Sequence, residues 1–358
     1  MTDLTKSRVL VTGCCGTIGN ELVRQLVETF PVGELIGIDN NESELFFLEQ
    51  RFAPAGIARF FLGDVRDHEK LSRAMRGVDI VFHVAAFKHV ILCERSPMEA
   101  VQTNILGMSN VIQAATDNGV EKVIFTSSDK AVNPTSVMGT SKLMGERLMT
   151  AANSNRRGNG PVFASTRFGN VLGSRGSVVP IFTEQIKKGG PVTLTDDKMT
   201  RFIMSIPQAV RMVIDSASMA QGGEVFITKM PVIRIRDLAE VMIRLLAPQF
   251  GYKAQDIPIE IIGMKPGEKL YEELMSHEET RRSQELTDYF AVVPAFRSLY
   301  EDISYEYEGV VSNSVDRPYI SAEEALMSQN EIERFLLDNN LLELPFDHAD
   351  HPDERYWP

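Results

Sequence analysis

Residues 8–28 read RVLVTGCCGTIGNELVRQLVE, and this stretch decides the fold. An apolar run suited to a buried strand passes into a glycine loop, and the residues from Thr17 onward have the periodicity of an amphipathic helix. Gly13, Gly16 and Gly19 leave the backbone free of side chains, so a pyrophosphate can approach the loop and lie against the helix N-terminus. The stretch predicts the first strand, turn and helix of a dinucleotide-binding sheet.

The rest of the first half repeats this alternation of apolar strand and helical segment. Strands separated by helices form a parallel sheet that is covered on both faces. We therefore predict an α/β fold, a Rossmann-type doubly wound parallel sheet. Its further strands are expected at residues 34–39, 58–65, 78–86, 120–128 and 161–171.

The organisation changes after the sixth strand, where short strands and helices are mixed. We place a dinucleotide-binding domain at residues 1–172 and a smaller mixed α/β substrate lobe at 173–276. The strand near 223–230 is a candidate to rejoin the main sheet. The remaining residues, 277–358, are predicted to form an acidic extension with a late helix at 321–340.

The composition is that of a globular protein with an acidic surface. The 358 residues are 43% hydrophobic and 24% charged, and the formal net charge is −12. A nucleic-acid partner is not expected, because binding to the phosphate backbone needs a basic surface. The N-terminus lacks a signal-peptide pattern and no apolar run reaches membrane-spanning length, so we expect a cytoplasmic protein without a membrane partner. The cysteines, Cys14, Cys15 and Cys93, lack metal-ligand spacing and are expected to be reduced thiols, with no bound metal.

Acidic and small residues at the ends of later strands complete a dinucleotide site. Asp39 ends the second strand, about twenty residues beyond the glycines, where a carboxylate can accept hydrogen bonds from both ribose hydroxyls. Since a carboxylate repels a 2′-phosphate, NAD is preferred to NADP, although Asn40 and Ser43 leave NADP open. The cofactor contacts predicted from the residues are Gly13, Gly16, Thr17, Ile18, Gly19, Asp39, Asn40, Ser43, Asp64, Val65, Ala85, Ala86 and Lys88.

Five motifs together carry a resemblance to a known family. They are GCCGTIG at 13–19, GDVRD at 63–67, HVAAFKHV at 83–90, SSDKAVNPTSVMGTSK at 127–142 and TRFGNVLGSRGSVVP at 166–180. With them the chain resembles the extended short-chain dehydrogenase/reductase enzymes and, more narrowly, the UDP-N-acetylglucosamine 4,6-dehydratases of bacterial polysaccharide biosynthesis. The resemblance extends to about residues 265–274. It implies a tightly bound NAD that is regenerated in each cycle, a UDP-sugar substrate and a homo-oligomer.

The resemblance also implies a catalytic set within residues 127–142. In such enzymes the sugar is oxidised at C4, C5 loses a proton, C6 loses its hydroxyl as water, and C6 is then reduced. Lys130 would be the base at C5 and Asp129 the acid at C6, which requires neighbouring groups with separated proton affinities. Ser128 would hydrogen-bond to the substrate, and Lys142 would bind the nicotinamide ribose.

Position 138 departs from the pattern of many relatives. Met138 is placed one helical turn from Lys142 on the same face, where many nicotinamide enzymes have a tyrosine that takes the proton of the substrate hydroxyl. A thioether cannot accept that proton. Some dehydratases of this group also have methionine there, so the resemblance implies that another group takes the C4 proton, with Asp129 the nearest candidate, and that C5 retains its configuration.

The nucleotide-sugar side of the site is assigned by the same resemblance. Arginine suits a diphosphate because its planar guanidinium donates two hydrogen bonds at once. The predicted substrate contacts are Lys88, His89, Asn170, Ser177, Arg201, Lys265 and Glu268, with Arg175 and Lys269 in the same segments.

Three alternatives stay open: a dehydratase that inverts C5, a UDP-sugar 4-epimerase, and a non-catalytic dinucleotide-binding sensor. An epimerase returns the hydride to C4 and has no use for a base at C5 and an acid at C6, so the Asp129–Lys130 pair is evidence against it. A sensor would be expected to have lost catalytic groups, but Asp129, Lys130 and Lys142 are all present.

Overall fold

The computed structural model describes residues 4–154, 160–264, 267–296 and 303–342. Its strands are β1 (Arg8–Thr12), β2 (Glu34–Asp39), β3 (Ala58–Leu62), β4 (Ile80–His83), β5 (Lys122–Thr126), β6 (Val162–Arg167), β7 (Asn170–Val171), β8 (Val192–Leu194), β9 (Thr200–Met204), β10 (Val225–Thr228), β11 (Val232–Arg234), β12 (Ile259–Ile261), β13 (Glu273–Met275), β14 (Ser283–Leu286), β15 (Tyr289–Val292), β16 (Val310–Ser312) and β17 (Tyr319–Ile320). Its α-helices are α1 (Thr17–Glu28), α2 (Glu42–Phe52), α3 (His68–Ala74), α4 (Val90–Arg95), α5 (Pro97–Ala100), α6 (Gly107–Asp117), α7 (Val137–Ser154), α8 (Val178–Lys187), α9 (Ile206–Met219), α10 (Ile235–Leu246), α11 (His277–Thr280) and α12 (Gln329–Asp338).

The main sheet has ten strands in the order β16-β14-β15-β10-β6-β5-β4-β1-β2-β3. All neighbours from β10 to β3 are parallel, and β15, β14 and β16 continue the sheet by antiparallel pairing. The chain reverses its direction of winding between β3 and β4. In a doubly wound sheet the ligand crevice lies at this switch point, beyond the carboxyl ends of the strands. The predicted fold class is confirmed.

Alternating side chains on β1 show how the sheet is covered on both faces. Val9 and Val11 belong to one buried core together with Leu22 and Leu26 of α1, whereas Leu10 belongs to the core beneath α3, α6 and α7. Successive strand residues point to opposite faces, so one strand serves both cores. Complete burial of a leucine such as Leu22 or Leu26 contributes about 1.5–3 kcal/mol.

A third core lies in the later part of the chain. It is formed by α8, α10 and α12 with β8, β9 and β11. The accompanying sheets are small, with the strand orders β11-β9-β7, β12-β8 and β13-β17. This arrangement agrees with a smaller mixed α/β lobe. Across the described ranges, no helix has both the length and the apolar character that crossing a membrane requires.

The later chain agrees with the sequence expectations in one feature and differs from them in two. The strand predicted near 223–230 forms β10 beside β6, and β14 and β15 also join the main sheet, so strands from beyond residues 172 and 276 complete it. The domain boundaries themselves stay a prediction. The late helix was predicted too long, since it begins only at Gln329, where Ser328 and Glu331 form a capping box.

A buried arginine joins the sheet to two helices. Arg167, at the end of β6, is 1% exposed and makes bidentate contacts with Glu146 of α7 and Glu279 of α11, at 2.6 to 3.1 Å. Its Nη1 also donates to the carbonyl oxygen of Leu274 at 2.8 Å. Burial would raise the pKa of Glu279, but the Arg167 guanidinium outweighs it and lowers that pKa to about 2. Glu279 is therefore ionised over the whole neutral range.

Replacing this arginine is expected to destabilise the fold strongly. Arg167→Met keeps much of the side-chain volume but leaves two buried carboxylates without a counter-charge, which costs about 3–5 kcal/mol. Urea unfolding followed by circular dichroism measures the loss. Arg73→Ala is the control, because Arg73 is mostly exposed and lies 3.9 Å from Glu69, so its loss costs less than about 1 kcal/mol. Equal unfolding midpoints for the two variants would contradict the assignment.

Candidate active site

A cleft of about 540 Å³ opens at the switch point of the sheet. Its walls come from the loops that follow β1, β2, β4, β5 and β6, as the topology requires. Many of the residues predicted from the sequence line it together, namely Gly13, Gly16, Thr17, Ile18, Asp39, Asn40, Asp64, Val65, Ala85, Ala86, Lys88, His89, Ser128, Lys130, Met138, Lys142, Asn170, Arg175 and Ser177.

The glycine loop is shaped by two close backbone approaches. Gly13 has a φ of +72°, and a Cβ there would lie 2.7 Å from Cα of Ala85. Gly19 faces inward on α1, and a Cβ there would overlap the carbonyl oxygen of Gly13. Gly16 is the N-cap of α1 and supplies no side-chain hydrogen bond. The N–H groups of the first turn are therefore available to an anion, which fits the pyrophosphate of a dinucleotide.

Asp39 is held at the end of β2 with its carboxylate oriented by the backbone. Its oxygens accept hydrogen bonds from the N–H groups of Cys15 at 2.9 Å and Asn41 at 3.0 Å. A carboxylate fixed in this way at the rim of the cleft can accept hydrogen bonds from ribose hydroxyls. Ser43, by contrast, is exposed on α2 and does not line the cleft, so its predicted cofactor contact has no support in the geometry.

Asp64 also lines the cleft, but its carboxylate already has protein partners. Arg66 contacts it through two guanidinium nitrogens at 3.0 and 2.7 Å, and Asn40 donates to it at 3.3 Å. The hydrogen bonds from Arg66 hold the pKa of Asp64 below its usual value. Asp64 therefore stays ionised and is available to a ligand only as an additional acceptor.

The ends of β4 and β5 carry a buried polar pair and a buried lysine. His83 Nδ1 lies 2.7 Å from the Thr12 hydroxyl, and burial, with the charge of Lys142, lowers the pKa of His83 to about 3. His83 is thus a neutral packing residue. Lys142 donates to the carbonyl oxygen of Thr126 at 2.9 Å, and its Nζ lies 4.8 Å from the centre of the Phe125 ring. Burial lowers the pKa of Lys142 to about 8.

The turn after β5 brings Ser128, Asp129 and Lys130 together. Oδ1 of Asp129 accepts hydrogen bonds from the Ser128 hydroxyl at 2.7 Å and from Lys130 Nζ at 3.0 Å. Asp129 is fully buried and does not itself line the cleft, whereas Ser128 and Lys130 do. Its Oδ2 has no hydrogen-bond partner among the described residues. The structure thus places the predicted acid behind the cleft wall, connected to the cleft through the serine hydroxyl.

Met138 lies in the first turn of α7 with Lys142 one turn further, as the spacing predicts. Met138 is 3% exposed and packs with Cys93 and Ala100 at the edge of the cleft. The next residue, Gly139, approaches the turn after β5 so closely that a Cβ there would overlap the carbonyl oxygen of Lys130. The helix that carries position 138 is therefore seated directly on the backbone of the Asp129–Lys130 pair.

A second carboxylate, missed by the sequence analysis, contacts this pair. Glu272, just before β13, is 2% exposed and its Oε1 lies 3.4 Å from Lys130 Nζ. Burial would lower the pKa of Lys130, but the charges of Asp129 and Glu272 outweigh it and raise that pKa above its ordinary value. The sequence flags the segment KPGEKLYEEL, but nothing in it distinguishes Glu272 from its acidic neighbours.

Arg201 has different partners from those predicted. It is 5% exposed and is not part of the cleft wall. Its guanidinium donates to the carbonyl oxygens of Thr200, Lys269 and Leu270 at 2.8 to 3.2 Å, and its Nε lies 3.7 Å from Glu272. The predicted substrate contact of Arg201 has no support in this geometry, because its guanidinium donates to the backbone carbonyls of residues 200, 269 and 270.

Three cleft-lining residues have buried polar atoms without a hydrogen-bond partner among the described residues. Asn170 Oδ1, Ser177 Oγ and Thr103 Oγ1 all belong to cleft-lining residues and make no hydrogen bond in the described structure. Buried polar atoms are normally paired, so these three point to a polar ligand. Lys88 Nζ donates to the carbonyl oxygen of Arg175 at 3.1 Å beside them. Sequence reasoning did not identify Thr103, which lies in a π-helical turn that carries no motif.

Two other predicted residues, Glu268 and Lys269, do not line the cleft. Lys265 is outside the described residues. Lys269 is connected to the site indirectly, because its Nζ donates to the carbonyl oxygen of Val132 at 2.8 Å. The contact fastens the 267–272 segment to the loop that follows the Asp129–Lys130 pair.

One group of possible metal ligands occurs in the described part of the chain. The ligand atoms of Cys14, Cys15 and Asp39 lie within 4.8 Å of one another. All three residues lie at the glycine loop, where Asp39 already accepts two backbone hydrogen bonds. The geometry is that of the dinucleotide cradle, and we assign no metal to it.

The two inner glycines of the loop are expected to respond differently to alanine. Gly19→Ala places a methyl group on the carbonyl oxygen of Gly13, so the loop must shift. We expect a measurable fall in Tm, since each kcal/mol lost lowers Tm by roughly 1–2 °C in a chain of this length. In Gly16→Ala the added Cβ lies 3.3 Å from that oxygen, so Tm should change less while dinucleotide affinity falls. Thermal unfolding and calorimetric titration measure the two effects. Equal Tm values would contradict the close approach at Gly19.

Comparison with known proteins gives three informative relatives. An uncharacterized membrane protein of Methanocaldococcus jannaschii is 50% identical over 88% of this chain and 92% of its own length. A UDP-N-acetylglucosamine 4,6-dehydratase (inverting) of Campylobacter jejuni is 40% identical over 83% and 86% of the two chains. A UDP-glucose 4-epimerase of Rickettsia canadensis is 37% identical over 94% and 96%.

Solved structures and a family model agree with these relatives. Pen from Bacillus thuringiensis has a TM-score of 0.87 at 39% identity and covers 95% of this chain and 99% of its own. DesIV, a dTDP-glucose 4,6-dehydratase of Streptomyces venezuelae with NAD and TYD bound, has a TM-score of 0.64 at 25% identity, over 74% and 86% of the chains. The model of a family described as polysaccharide biosynthesis protein matches residues 9–294. The chain therefore belongs to this polysaccharide biosynthesis protein family.

Proposed function

We propose that this protein is an NAD-dependent 4,6-dehydratase of UDP-N-acetylglucosamine that produces a 4-keto-6-deoxy sugar nucleotide for bacterial surface glycans. The observation that carries the proposal is the hydrogen-bonded set of Ser128, Asp129 and Lys130, which opens into the same cleft as the glycine loop. Dehydration across C5 and C6 needs a base and an acid held side by side. The relative from Campylobacter jejuni that bears this activity in its name adds support.

The residues of the loop and of β2 fit a dinucleotide cofactor. Gly13 and Gly16 would admit the pyrophosphate, Asp39 would accept hydrogen bonds from the adenosine ribose, and Lys142 would donate to the nicotinamide ribose. The fixed carboxylate of Asp39 favours NAD over NADP, since it would repel a 2′-phosphate. When bound, the dinucleotide supplies a hydride acceptor for C4 and returns the hydride to C6.

The side chains of the turn after β5 would handle the protons. Ser128 lines the cleft and donates to Asp129, so it can pass the C4 hydroxyl proton to the aspartate and later return it to the departing C6 hydroxyl. Lys130 would remove the proton from C5 in its neutral form. The pairing of Lys130 with carboxylates keeps the amine within the cleft wall until the substrate arrives.

Retention at C5 follows from having one base for both proton transfers. Met138 has no exchangeable proton, so it cannot protonate C5 from another direction. If Lys130 both removes and returns the proton, the proton comes back to the face it left. The relative named as inverting makes inversion the competing outcome.

The same cleft would hold the UDP portion. Asn170, Ser177 and Thr103 offer unpaired polar atoms, and Lys88 and Arg175 provide positive charge beside them. Burial, assisted by the charge of Arg175, lowers the pKa of Lys88. A diphosphate would restore the favourable environment for this ammonium group.

We further infer a homo-oligomer in the cytoplasm. An apolar patch formed by Ile91, Leu92, Met98, Leu106 and Met144 is 44–62% exposed along α4, α5, the π-helical turn and α7. A patch of this kind commonly marks an interface. Cys14, Cys15 and Cys93 are free thiols, as expected in a reducing compartment.

Proton NMR in heavy water tests the proposed reaction. Purified protein is incubated with UDP-N-acetylglucosamine without added cofactor, and a new C6 methyl signal establishes dehydration. Deuterium at C5 and the coupling to its neighbours distinguish retention from inversion. If only the galacto isomer appears, the protein is an epimerase, as the name of the Rickettsia relative would suggest. If the substrate stays unchanged even with added NAD, the proposed reaction is rejected in favour of a sensor or another sugar.

Loss of the base should separate catalysis from binding. Lys130→Ala is expected to reduce methyl formation by a factor of about 10² to 10⁴, because that is the usual contribution of a general base. Dinucleotide affinity should be unchanged, since the glycine loop is untouched. The NMR assay and calorimetry measure the two quantities, with Lys187→Ala, an exposed lysine on α8, as the control. Unchanged turnover would exclude Lys130 as the base.

The apolar patch gives a prediction about assembly. Leu92→Glu puts a charge into its centre and should shift the sedimentation coefficient to that of the monomer. Val311→Glu is the control, because Val311 is 64% exposed on β16, an edge strand of the main sheet that is not part of the patch. A monomeric wild-type protein, or an assembly unaffected by Leu92→Glu, would refute this interface.

A further inference from the structure

Glu272 is a buried carboxylate for which the proposed reaction has so far named no role. Its Oε1 lies 3.4 Å from Lys130 Nζ and 3.7 Å from Arg201 Nε. Its Oε2 is buried and has no hydrogen-bond partner among the described residues. A buried carboxylate is costly unless it is paired and fully hydrogen-bonded, and half of this one is unsatisfied.

The backbone holds Glu272 firmly in this position. Its N–H donates to the Ser321 hydroxyl at 3.0 Å, and its carbonyl accepts from the N–H of Ser321 at 2.9 Å. The same segment is fastened by Lys269 to Val132 and by Arg201 to the carbonyls of residues 269 and 270. The contact between Glu272 and Lys130 is thus built by several independent interactions and not by the flexible lysine alone.

A proton count shows why a second carboxylate is useful. Met138 cannot take the C4 hydroxyl proton, so in the proposed reaction that proton goes through Ser128 to Asp129. Once protonated, Asp129 has no room for a second proton. Lys130 must nevertheless become neutral before it can remove the C5 proton. Among the described residues, Glu272 is the other carboxylate in ion-pair contact with its Nζ.

We propose that Glu272 is a positioning residue that stores the proton of Lys130 during the reaction. This inference rests on the proposed dehydration. The ammonium of Lys130 transfers a proton to the Glu272 carboxylate, giving a neutral amine and a carboxylic acid. The amine then takes the C5 proton while the electrons of the C5–H bond form the C5–C6 double bond and the C6–O bond breaks. The leaving oxygen takes the Asp129 proton through Ser128 and departs as water.

The return half of the cycle restores every group. C6 accepts the hydride that C4 gave up, and C5 regains its proton from Lys130. Glu272 then gives the stored proton back, so the cluster ends as one ammonium and two carboxylates. The proton that left in water is the one that came from the C4 hydroxyl, and protons and electrons balance without another reactant.

The surroundings of Glu272 suit a group that changes its protonation state. The charged groups facing it are Asp129, Lys130, Arg201 and Lys269. Burial raises the pKa of Glu272, and the charge of Asp129 raises it further. The three cations lower it, but their effect is smaller, so the pKa stays above its ordinary value. A carboxyl group in this state can accept a proton at moderate cost.

Glu272→Gln, compared with Glu273→Gln, tests the inference. Glu273 is adjacent in sequence, but its carboxylate contacts Asn133 instead of Lys130. The first readout needs no substrate: the pKa of Lys130 is measured by NMR of protein labelled at the lysine Cε, with Lys130→Arg identifying the signal. We expect a lower pKa in Glu272→Gln, since one of two carboxylates that raise it is removed, and no change in Glu273→Gln. An unchanged Lys130 pKa in both variants would overturn the coupling, whether or not the sugar assignment is right.

The second readout uses UDP-N-acetylglucosamine. In Glu272→Gln, the nicotinamide absorbance change that reports C4 oxidation should persist, while methyl formation at neutral pH falls by about 10²-fold. Methyl formation should recover as the pH rises, because the lysine then loses its proton to solvent. The proposal is rejected if the variant forms methyl product at the wild-type rate. It is also rejected if C4 oxidation and methyl formation fall equally and Tm is lowered, because that result shows a merely structural role. If the wild-type protein forms no methyl product, the proposed function fails, and the proton-storage role fails with it. The pKa of Lys130 in Glu272→Gln still shows whether Glu272 and Lys130 are electrostatically coupled.

Discussion

The contact of Arg167 with two buried carboxylates is the interaction on which the rest of the site depends. Arg167 ends a central strand, Glu146 lies on the helix that carries Met138 and Lys142, and Glu279 and the carbonyl of Leu274 lie just beyond Glu272. Glu146 also accepts a hydrogen bond from Ser127, beside the reactive turn. A buried guanidinium is tolerated only when its donors are used in a fixed geometry. The arginine thereby holds α7, the end of β6 and the segment that follows Glu272 at defined positions relative to one another.

The pKa values of two lysines at this cleft are shifted in opposite directions by their neighbours. Lys142 is buried against Phe125 and a carbonyl oxygen, and burial lowers its pKa to about 8. Burial acts on Lys130 in the same direction, but two carboxylates in contact with its Nζ reverse the result and raise its pKa. The carboxylates in contact with Nζ therefore decide which of the two buried lysines has the raised pKa.

The sequence was most informative where function depends on local pattern. The glycine loop, the parallel strands and the adjacency of Asp129 and Lys130 are encoded by neighbouring residues, and the structure brings them to one cleft. Glu272 could not be found in this way, because its proximity to Lys130 comes from the packing of a distant segment. The same applies to Arg201, whose type suggests a phosphate ligand while its burial assigns it to backbone carbonyls. The start of α12 was misplaced because the polar residues before Ser328 continue a helix-like pattern.

Gly139 restricts which substitutions this site can accept. The helix rests on the carbonyl of Lys130 at this residue, and any side chain would force the two apart. The preceding side chain lines the cleft and packs in a small cluster with Cys93 and Ala100, against which Val90 and Val137 also pack. Position 138, where other side chains can be accommodated, is thus directly followed by Gly139, where the close approach to Lys130 permits no side chain. Substitutions at position 138 can therefore change the chemical group presented to the cleft without rebuilding the scaffold.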